Sequence, residues 1–168
     1  WERAAHDGNS TAQVLVGNCY FDGIGVPKDR VKAREWFERA ADQKDPSGLT
    51  AMGYLHTTGE GGTSIDEATA SRYTREAADL GAPTAMNNLA LDFRDGTGGQ
   101  EVDGKAAIEW FEKAAAAGSR LAMRNLANMY VDGLAGVTVD SARADEWYVK
   151  AADAGDADGA VWAARVAG

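Results

Sequence analysis

WFEKAAAAG, at residues 110–118, occurs in nearly the same form as WFERAADQK at residues 36–44. In both segments an aromatic residue stands four residues ahead of a pair of alanines. Such pairs recur along the chain at steps of 36 or 37 residues. They begin at Ala4, Ala40, Ala77, Ala114 and Ala151. A fixed step of this length is typical of proteins built from repeated supersecondary units.

Three further columns keep the same period. An aromatic residue, an aspartate and a glycine each recur in step with the alanine pairs. The columns are Trp36, Tyr73, Trp110 and Trp147; Asp29, Asp66, Asp103 and Asp140; and Gly23, Gly59, Gly96 and Gly133. Because several columns agree in phase, the chain is predicted to contain one structural unit repeated about four times.

Each unit is predicted to contain two helices. After Asp29, the apolar residues Ala33, Trp36 and Ala40 follow the spacing of one helical face, and the aspartate is a natural N-cap. An earlier helix is predicted between a Gly, Pro or Ser cluster and the recurring glycine. Small residues in register let the two helices approach closely, and the recurring Trp or Tyr is predicted to fill the remaining gap. Truncation of Trp110 is therefore expected to cost about 3–5 kcal/mol.

The segment at residues 12–41 carries a family resemblance. Its small residue, apolar–Gly pair, Tyr, Gly-x-Gly-Val, Asp, Lys-Ala and Trp are similar to the Sel-one-like repeat, a relative of the tetratricopeptide repeat. Later units lack Gly-x-Gly-Val and have one more loop residue, which leaves their loop shapes open. The resemblance implies an all-α, tetratricopeptide-like superhelix (solenoid) of antiparallel helix pairs, whose first helices line the concave face.

The repeats divide the whole chain. Residues 1–7 are predicted to end a preceding repeat, so the native protein is expected to extend upstream. Repeats are predicted at residues 8–43, 44–80, 81–117 and 118–154, and residues 155–168 form the first helix of a further or capping repeat. No apolar run reaches the roughly 18 residues that a membrane span needs.

Charge and cysteine content restrict the partners. The net charge is −9, with 26 acidic and 17 basic residues. Nucleic-acid and anionic-membrane binding require clustered Lys and Arg, so neither is expected. Cys19 is the single cysteine, and the default expectation is a buried, unreactive thiol. A single cysteine fits a reducing compartment, but a periplasmic protein without disulfides would look the same, so the compartment stays open.

Short motifs give no catalytic, cofactor or metal site. GQEVDGK, at residues 99–105, has the glycine and lysine spacing of a phosphate loop, but Ala106 replaces the required Ser or Thr. Asp153, Asp156 and Asp158 lack the further ligands of a calcium loop. His56 stands in an otherwise aromatic column and is predicted to pack there. No Ser-x-x-Lys or Gly-x-Ser-x-Gly nucleophile motif occurs.

The chain is therefore predicted to be a non-enzymatic adaptor that binds a peptide or protein on the concave face. The predicted binding residues are Asn18, Tyr54, Asn87, Asn88, Leu91, Arg94, Arg124, Asn125 and Asn128. Asn88 and Asn125 fall where related tetratricopeptide proteins use Asn to hold a peptide backbone. Charge reversal at Arg94 and Arg124 is expected to abolish partner capture without lowering the melting temperature. Two alternatives stay open: a module of a cell-envelope or β-lactam-related enzyme, and a passive spacer.

Overall fold

The computed structural model describes residues 1–167, so Gly168, the end of the predicted final segment, lies outside the described residues. Within that range every regular element is helical and no β-strand occurs, which confirms the predicted all-α class. The α-helices are α1 (Glu2–His6), α2 (Ser10–Asp22), α3 (Arg30–Asp42), α4 (Pro46–Thr58), α5 (Glu67–Asp79), α6 (Pro83–Asp95), α7 (Gly104–Ala116), α8 (Arg120–Asp132), α9 (Ser141–Asp153) and α10 (Ala157–Ala167). Short 3-10 helices lie at Glu60–Gly62 and Leu134–Gly136.

The helices form pairs of constant size. In the described chain, α2 to α9 each have 13 residues, a length of about 20 Å. The pairs are α2 with α3, α4 with α5, α6 with α7, and α8 with α9. A short loop joins the members of each pair, so they run antiparallel. The even-numbered helices are the predicted first helices of the repeats.

The chain forms two compact units. Unit 1, Trp1–Ala82, contains α1 to α5, and unit 2, Pro83–Gly168, contains α6 to α10. In unit 1, α3 packs on α4 as well as on α2. In unit 2, α7 packs on both α6 and α8, and α9 packs on both α8 and α10. Each second helix thus has one first helix on either side wherever both belong to the same unit.

The recurring aspartates cap the second helices, as the sequence predicts. The Asp29 carboxylate accepts a hydrogen bond from the Lys32 backbone N–H at 3.0 Å. Asp66, Asp103 and Asp140 make the equivalent bonds one, two and three repeats later. Each bond pairs a backbone N–H that has no partner within the helix. The negative carboxylate is also attracted by the positive end of the helix dipole.

The recurring glycines end the first helices in a left-handed conformation. Gly96, at the end of α6, has φ +70°, which side chains with a Cβ rarely adopt. A Cβ there would also lie 2.9 Å from the Val102 side chain, which folds back over the glycine. Ile65 and Val139 pack in the same way on the equivalent glycines, Gly59 and Gly133. These exposed apolar residues therefore belong to the helix-end structure.

The buried aromatic residues differ in part from the prediction. Trp36 is buried, as predicted, but Tyr73, Trp110 and Trp147 are only half-buried. The fully buried ring of unit 2 is Phe111, one residue after Trp110, at the centre of the core. Successive helical residues point about 100° apart, so the position after Trp110 faces the neighbouring first helices while the indole lies at the edge of the contact. Trp110 therefore packs against the core, but it is less buried than the prediction requires and is not the central ring.

Candidate functional site

Unit 1 carries two of the predicted binding residues, Asn18 on α2 and Tyr54 on α4. Both are exposed, and Tyr54 keeps 50% of its accessible surface. The Phe21 ring of α2 meets the Tyr54 ring edge-on, with 5.9 Å between the ring centroids. The Arg30 guanidinium lies 4.7 Å from the Phe21 centroid. Unit 1 therefore presents an exposed phenol, supported by a second aromatic ring, on its first helices.

Unit 2 carries the other seven predicted residues and an open cleft. The cleft has a volume of about 500 Å³ and lies where α8, α9 and α10 meet; we call it the α8–α10 cleft. Three predicted binding residues line it, namely Arg124, Asn125 and Asn128. The other lining residues are Tyr148, Asp158, Val161, Trp162 and Arg165.

Two stacked aromatic rings support the α8–α10 cleft. Tyr148 of α9 and Trp162 of α10 lie nearly parallel, with centroids 4.4 Å apart and planes at 19°. The Trp162 indole N–H donates to the Asp145 carboxylate at 2.7 Å, and the Tyr148 hydroxyl donates to Asn128 Oδ1. Burial raises the pKa of Tyr148 above its ordinary value, with a further contribution from the nearby Asp132 carboxylate. Both rings are thereby fixed in orientation.

Adjacent asparagines on α6 have different environments. Asn88 is exposed, whereas Asn87 is buried, with 6% of its surface accessible. The Asn87 Oδ1 accepts a hydrogen bond of 2.9 Å from the Asn125 side-chain amide of α8. The structure thus differs from the prediction of an exposed Asn87. A buried amide requires a partner, and this bond both satisfies Asn87 and orients Asn125 at the cleft.

Arg124 is held by two carboxylates of the α9–α10 connection. Its guanidinium lies 2.6 Å from Asp158 and 3.5 Å from Asp156. Asp156 is 5% exposed and also caps α10 by accepting from the Gly159 backbone N–H at 2.9 Å. Charge reversal at Arg124 would leave Asp156 facing a second carboxylate. The expectation that this change spares the melting temperature is therefore at odds with the structure.

Leu91 and Arg94 lie on α6 outside the α8–α10 cleft. Leu91 is half-buried against the core of unit 2. Arg94 is also half-buried, and its guanidinium donates two hydrogen bonds, of 2.7 and 2.6 Å, to the carboxylate of neighbouring Asp95. This bidentate bond raises the pKa of Arg94 and lowers the pKa of Asp95. The Arg94 charge is thus balanced within its own helix.

The Asp95 carboxyl is expected to titrate below its ordinary value of 3.8 because the Arg94 hydrogen bond favours the charged form. Because this pKa is lower in the folded than in the unfolded state, the ionised carboxylate stabilises the fold at pH values above the unfolded-state pKa. That stabilisation is lost as the pH falls through the folded-state pKa. In a carbon-detected NMR titration, Arg94→Gln should therefore raise the Asp95 midpoint toward 3.8. Lys105→Gln, on the next helix, is the control. An Asp95 midpoint that Arg94→Gln leaves unmoved would contradict the assignment.

The short motifs of the sequence have structural roles. Asp103 caps α7, and Lys105 is exposed within its first turn. His56 stacks on Tyr73 with 5.8 Å between centroids, which fits its predicted packing role. Cys19 is half-buried, so the expectation of a buried thiol is wrong. Among residues 1–167, no cluster of three or more His, Cys, Asp or Glu could hold a metal ion, and no helix combines the length and apolarity of a membrane span.

Comparison with known sequences identifies the repeat. The model of the Sel1 repeat matches residues 10–45, 46–81, 83–119 and 120–156, which together make up most of the chain. The chain belongs to the Sel1 repeat family. The boundary between the second and third Sel1 repeats falls where unit 1 ends and unit 2 begins.

Solved structures agree with this membership. The chain is similar to a Sel1 repeat protein from Oxalobacter formigenes, with 31% identity, a TM-score of 0.82, and coverage of 93% of this chain and 61% of that one. It is also similar to c5321, a protective antigen of uropathogenic Escherichia coli with an SLR fold. The identity is 34%, the TM-score is 0.82, and the match covers 94% of this chain and 33% of that one.

A curated protein matches part of the chain. HRD3B of Arabidopsis thaliana, an ERAD-associated E3 ubiquitin-protein ligase component, is 38% identical over 61 residues, which are 36% of this chain and 10% of that protein. The chain thus matches only about a tenth of the length of this curated relative. Together, the Sel1 repeats and this partial relative suggest a protein-interaction module.

The sequence prediction missed five residues of the α8–α10 cleft, namely Tyr148, Asp158, Val161, Trp162 and Arg165. Val161, Trp162 and Arg165 occupy the same repeat positions on α10 as the predicted residues Arg124, Asn125 and Asn128 do on α8. Extending those positions by one more step of 37 residues would have found them. Tyr148 follows the recurring aromatic position on a second helix, and no sequence signal separates it from an ordinary core residue.

Proposed function

We propose that this chain is a non-enzymatic adaptor whose Sel1 repeats bind an extended segment of another protein on the first helices of unit 2. The observation that carries the proposal is the α8–α10 cleft, in which the predicted residues Arg124, Asn125 and Asn128 lie together beside a fixed aromatic pair. An open cleft that combines side-chain amides with an aromatic and apolar surface suits an extended peptide, because the amides can bond its main chain and the apolar surface can contact its side chains.

The asparagines of α6 and α8 provide the contacts to a peptide backbone. Asn88 is exposed, and Asn125 is oriented by its bond to buried Asn87. A side-chain amide can donate to a peptide carbonyl and accept from a peptide N–H at the same time, so it can recognise a main chain of any sequence. Val161 is 74% exposed at the cleft and supplies apolar surface for a side chain of the partner.

Asn18 and Tyr54 of unit 1 are proposed to contact a partner as well. Tyr54 has the features of a binding residue, since an exposed aromatic ring held by a neighbouring ring gives a large contact area at little cost in side-chain entropy. The partner is proposed to be a protein rather than a nucleic acid. The net charge of −9 opposes association with phosphate backbones.

Selection from a random display library of twelve-residue peptides tests this function. Enriched peptides, synthesised and titrated calorimetrically, are expected to bind wild-type protein. Asn125→Ala should raise their dissociation constants about five- to tenfold, because one or two neutral hydrogen bonds are lost. Val161→Ser should also weaken them, because it removes apolar surface at the cleft without adding a charge; because Val161 is exposed, this change leaves folding intact. The matched control is Glu146→Ala, at an exposed position of the second helix α9.

Different outcomes separate the alternatives. Peptides that bind wild type, Asn125→Ala and Val161→Ser equally would contradict the proposed surface. Selection that enriches no peptide would favour a passive spacer. Hydrolysis of a chromogenic β-lactam by the purified protein, lost when it is heat-unfolded, would favour the enzyme-related alternative.

A further inference from the structure

Most polar groups at the α8–α10 cleft already have partners within unit 2. The Arg124 guanidinium pairs with Asp158 and Asp156. The Tyr148 hydroxyl donates to Asn128 Oδ1, and the Asn125 amide N–H donates to Asn87. A ligand would have to break these contacts in order to use the same atoms. Its recognition therefore depends on the polar atoms that remain.

The groups that remain are mainly hydrogen-bond donors. Among the described residues, the Arg165 guanidinium contacts the Trp162 ring and has no carboxylate within ion-pair distance. The Asn128 side-chain N–H₂ is likewise without an acceptor in this range, because the Tyr148 bond uses only its oxygen. The acceptors left at the lining are the Asn125 side-chain oxygen and the Asp158 oxygen that does not face Arg124. A ligand group that is rich in acceptor atoms fits such a set.

The available guanidinium lies over an aromatic ring that is itself fixed in orientation. Arg165 lies 4.3 Å from the Trp162 ring centroid, and the indole is itself stacked on Tyr148 and hydrogen-bonded to Asp145. A guanidinium stacked on an aromatic ring keeps its edge N–H groups directed outward as a pair. A carboxylate accepts such a pair in bidentate fashion, which is stronger and more specific than a single neutral hydrogen bond.

We infer that the α8–α10 cleft recognises one acidic side chain, Glu or Asp, of the bound peptide, with Arg165 as the principal contact and Asn128 as a second donor. This inference rests on the proposed peptide-binding function and adds a ligand class to it. The carboxylate belongs to a side chain rather than to a chain terminus, because exposed Asn88 on α6 and exposed Val161 on α10 provide surface for the peptide to continue in both directions.

The surrounding charges limit the site to a single carboxylate. The lining carries Arg124 and Arg165, but Arg124 is already paired with Asp158, so Arg165 is the lining cation left for a ligand. Asp156 neutralises Arg124 further, and Asp132 acts on the neighbouring Tyr148 hydroxyl. A run of acidic residues would be repelled by these groups. Binding of one carboxylate should weaken as salt rises, because its contact with exposed Arg165 is screened.

The inference is tested with short probe peptides of defined charge. Each has five residues, with acetylated and amidated ends and a central Glu, Gln or Lys flanked by two valines on each side. Binding is followed on uniformly labelled protein by the NMR signals of the Arg165 side-chain Nε–H and the Trp162 indole N–H. The Glu peptide is expected to bind about fivefold or more tighter than the Gln peptide, and the Lys peptide weakest. A fourth peptide, with central Gln and a free C-terminus, measures binding of a terminal carboxylate.

Matched arginine variants assign the effect to the cleft. Arg165→Gln should bring the affinities of the Glu and Gln peptides to within about twofold, because the charge-assisted bond is lost. Arg39 stacks 4.5 Å from the Trp36 centroid on α3 of unit 1, so Arg39→Gln removes the same kind of cation–indole contact elsewhere and should change nothing. Glu and Gln peptides that shift these signals with equal affinity would overturn the carboxylate inference while supporting peptide binding. Preference for the free C-terminus would overturn the assignment to a side chain, and no shift with any peptide would contradict both proposals.

Discussion

Phe111→Ala is expected to lower the free energy of unfolding by about 3–5 kcal/mol, more than any other single truncation in unit 2. The Phe111 ring is completely buried and packs in one core with Leu126, Met129 and Ala90. The ring's own helix, α7, lies between α6 and α8, so the space left by the ring cannot collapse fully. The loss therefore includes a cavity term as well as the transfer of the ring. In thermal unfolding followed by circular dichroism, the midpoint should fall by more than about 10 °C.

Trp110→Ala is the matched comparison for Phe111→Ala. The indole is larger than the phenyl ring but only half-buried, and the Lys113 ammonium lies 3.9 Å from its centroid at the rim. Its truncation should cost less than about 3 kcal/mol, since the exposed part of the ring gains little from folding. A larger loss for Trp110→Ala than for Phe111→Ala would show that the indole, as the sequence suggested, is the main packing residue.

Gly48→Val is expected to destabilise unit 1 by about 1–3 kcal/mol or more, through overpacking between α3 and α4. A Cβ at Gly48 would lie 2.7 Å from the Ala40 Cβ and 2.8 Å from the Ala41 backbone nitrogen. Neither group can rotate away, so the two helices would have to separate. Urea unfolding should show a lower midpoint, and proteolysis should cut the loop between α3 and α4 sooner than in wild type.

Gly53→Ala, later in the same helix, is the control for Gly48→Val. A Cβ at Gly53 would lie 3.2 Å from the Thr74 hydroxyl oxygen, which is on a side chain that can adjust. The gain in helix propensity, about 1 kcal/mol, offsets this crowding. Gly53→Ala should therefore stay within about 1 kcal/mol of wild type. Equal effects of the two substitutions would show that general glycine replacement, rather than contact between helices, sets the cost.

The helices and their caps could be predicted because their signals are local. Asp29 caps a helix through a backbone N–H three residues away, and Gly96 ends one through its own φ angle. Each signal recurs in every repeat, so chance matches in one unit are corrected by the others. The same periodicity could not rank Trp110 against Phe111. Adjacent aromatic residues both satisfy a broad apolar face, and only the packing of the neighbouring helices decides which is central.

The candidate site was predictable only in part, because its details arise from contacts between repeats. Periodicity placed Arg124 on the first-helix surface, but its partner Asp158 is 34 residues away, on α10. The burial of Asn87 and the exposure of Asn88 likewise follow from the position of α8, which bonds to Asn87 through Asn125. Local patterns therefore identified the surface, while the pairing of its polar groups required the tertiary structure.

The uniform helix length has a consequence for how such a chain can change over generations. Every α-helix from α2 to α9 has the same number of residues, and the aspartate and glycine that delimit them recur at a constant step after the first unit. Duplication or loss of a gene segment spanning one step would add or remove a complete helix pair without cutting a helix or orphaning a cap. Recombination can thus lengthen or shorten this molecule by whole modules, and new surface residues can diversify in the added copy while the original copies keep their role.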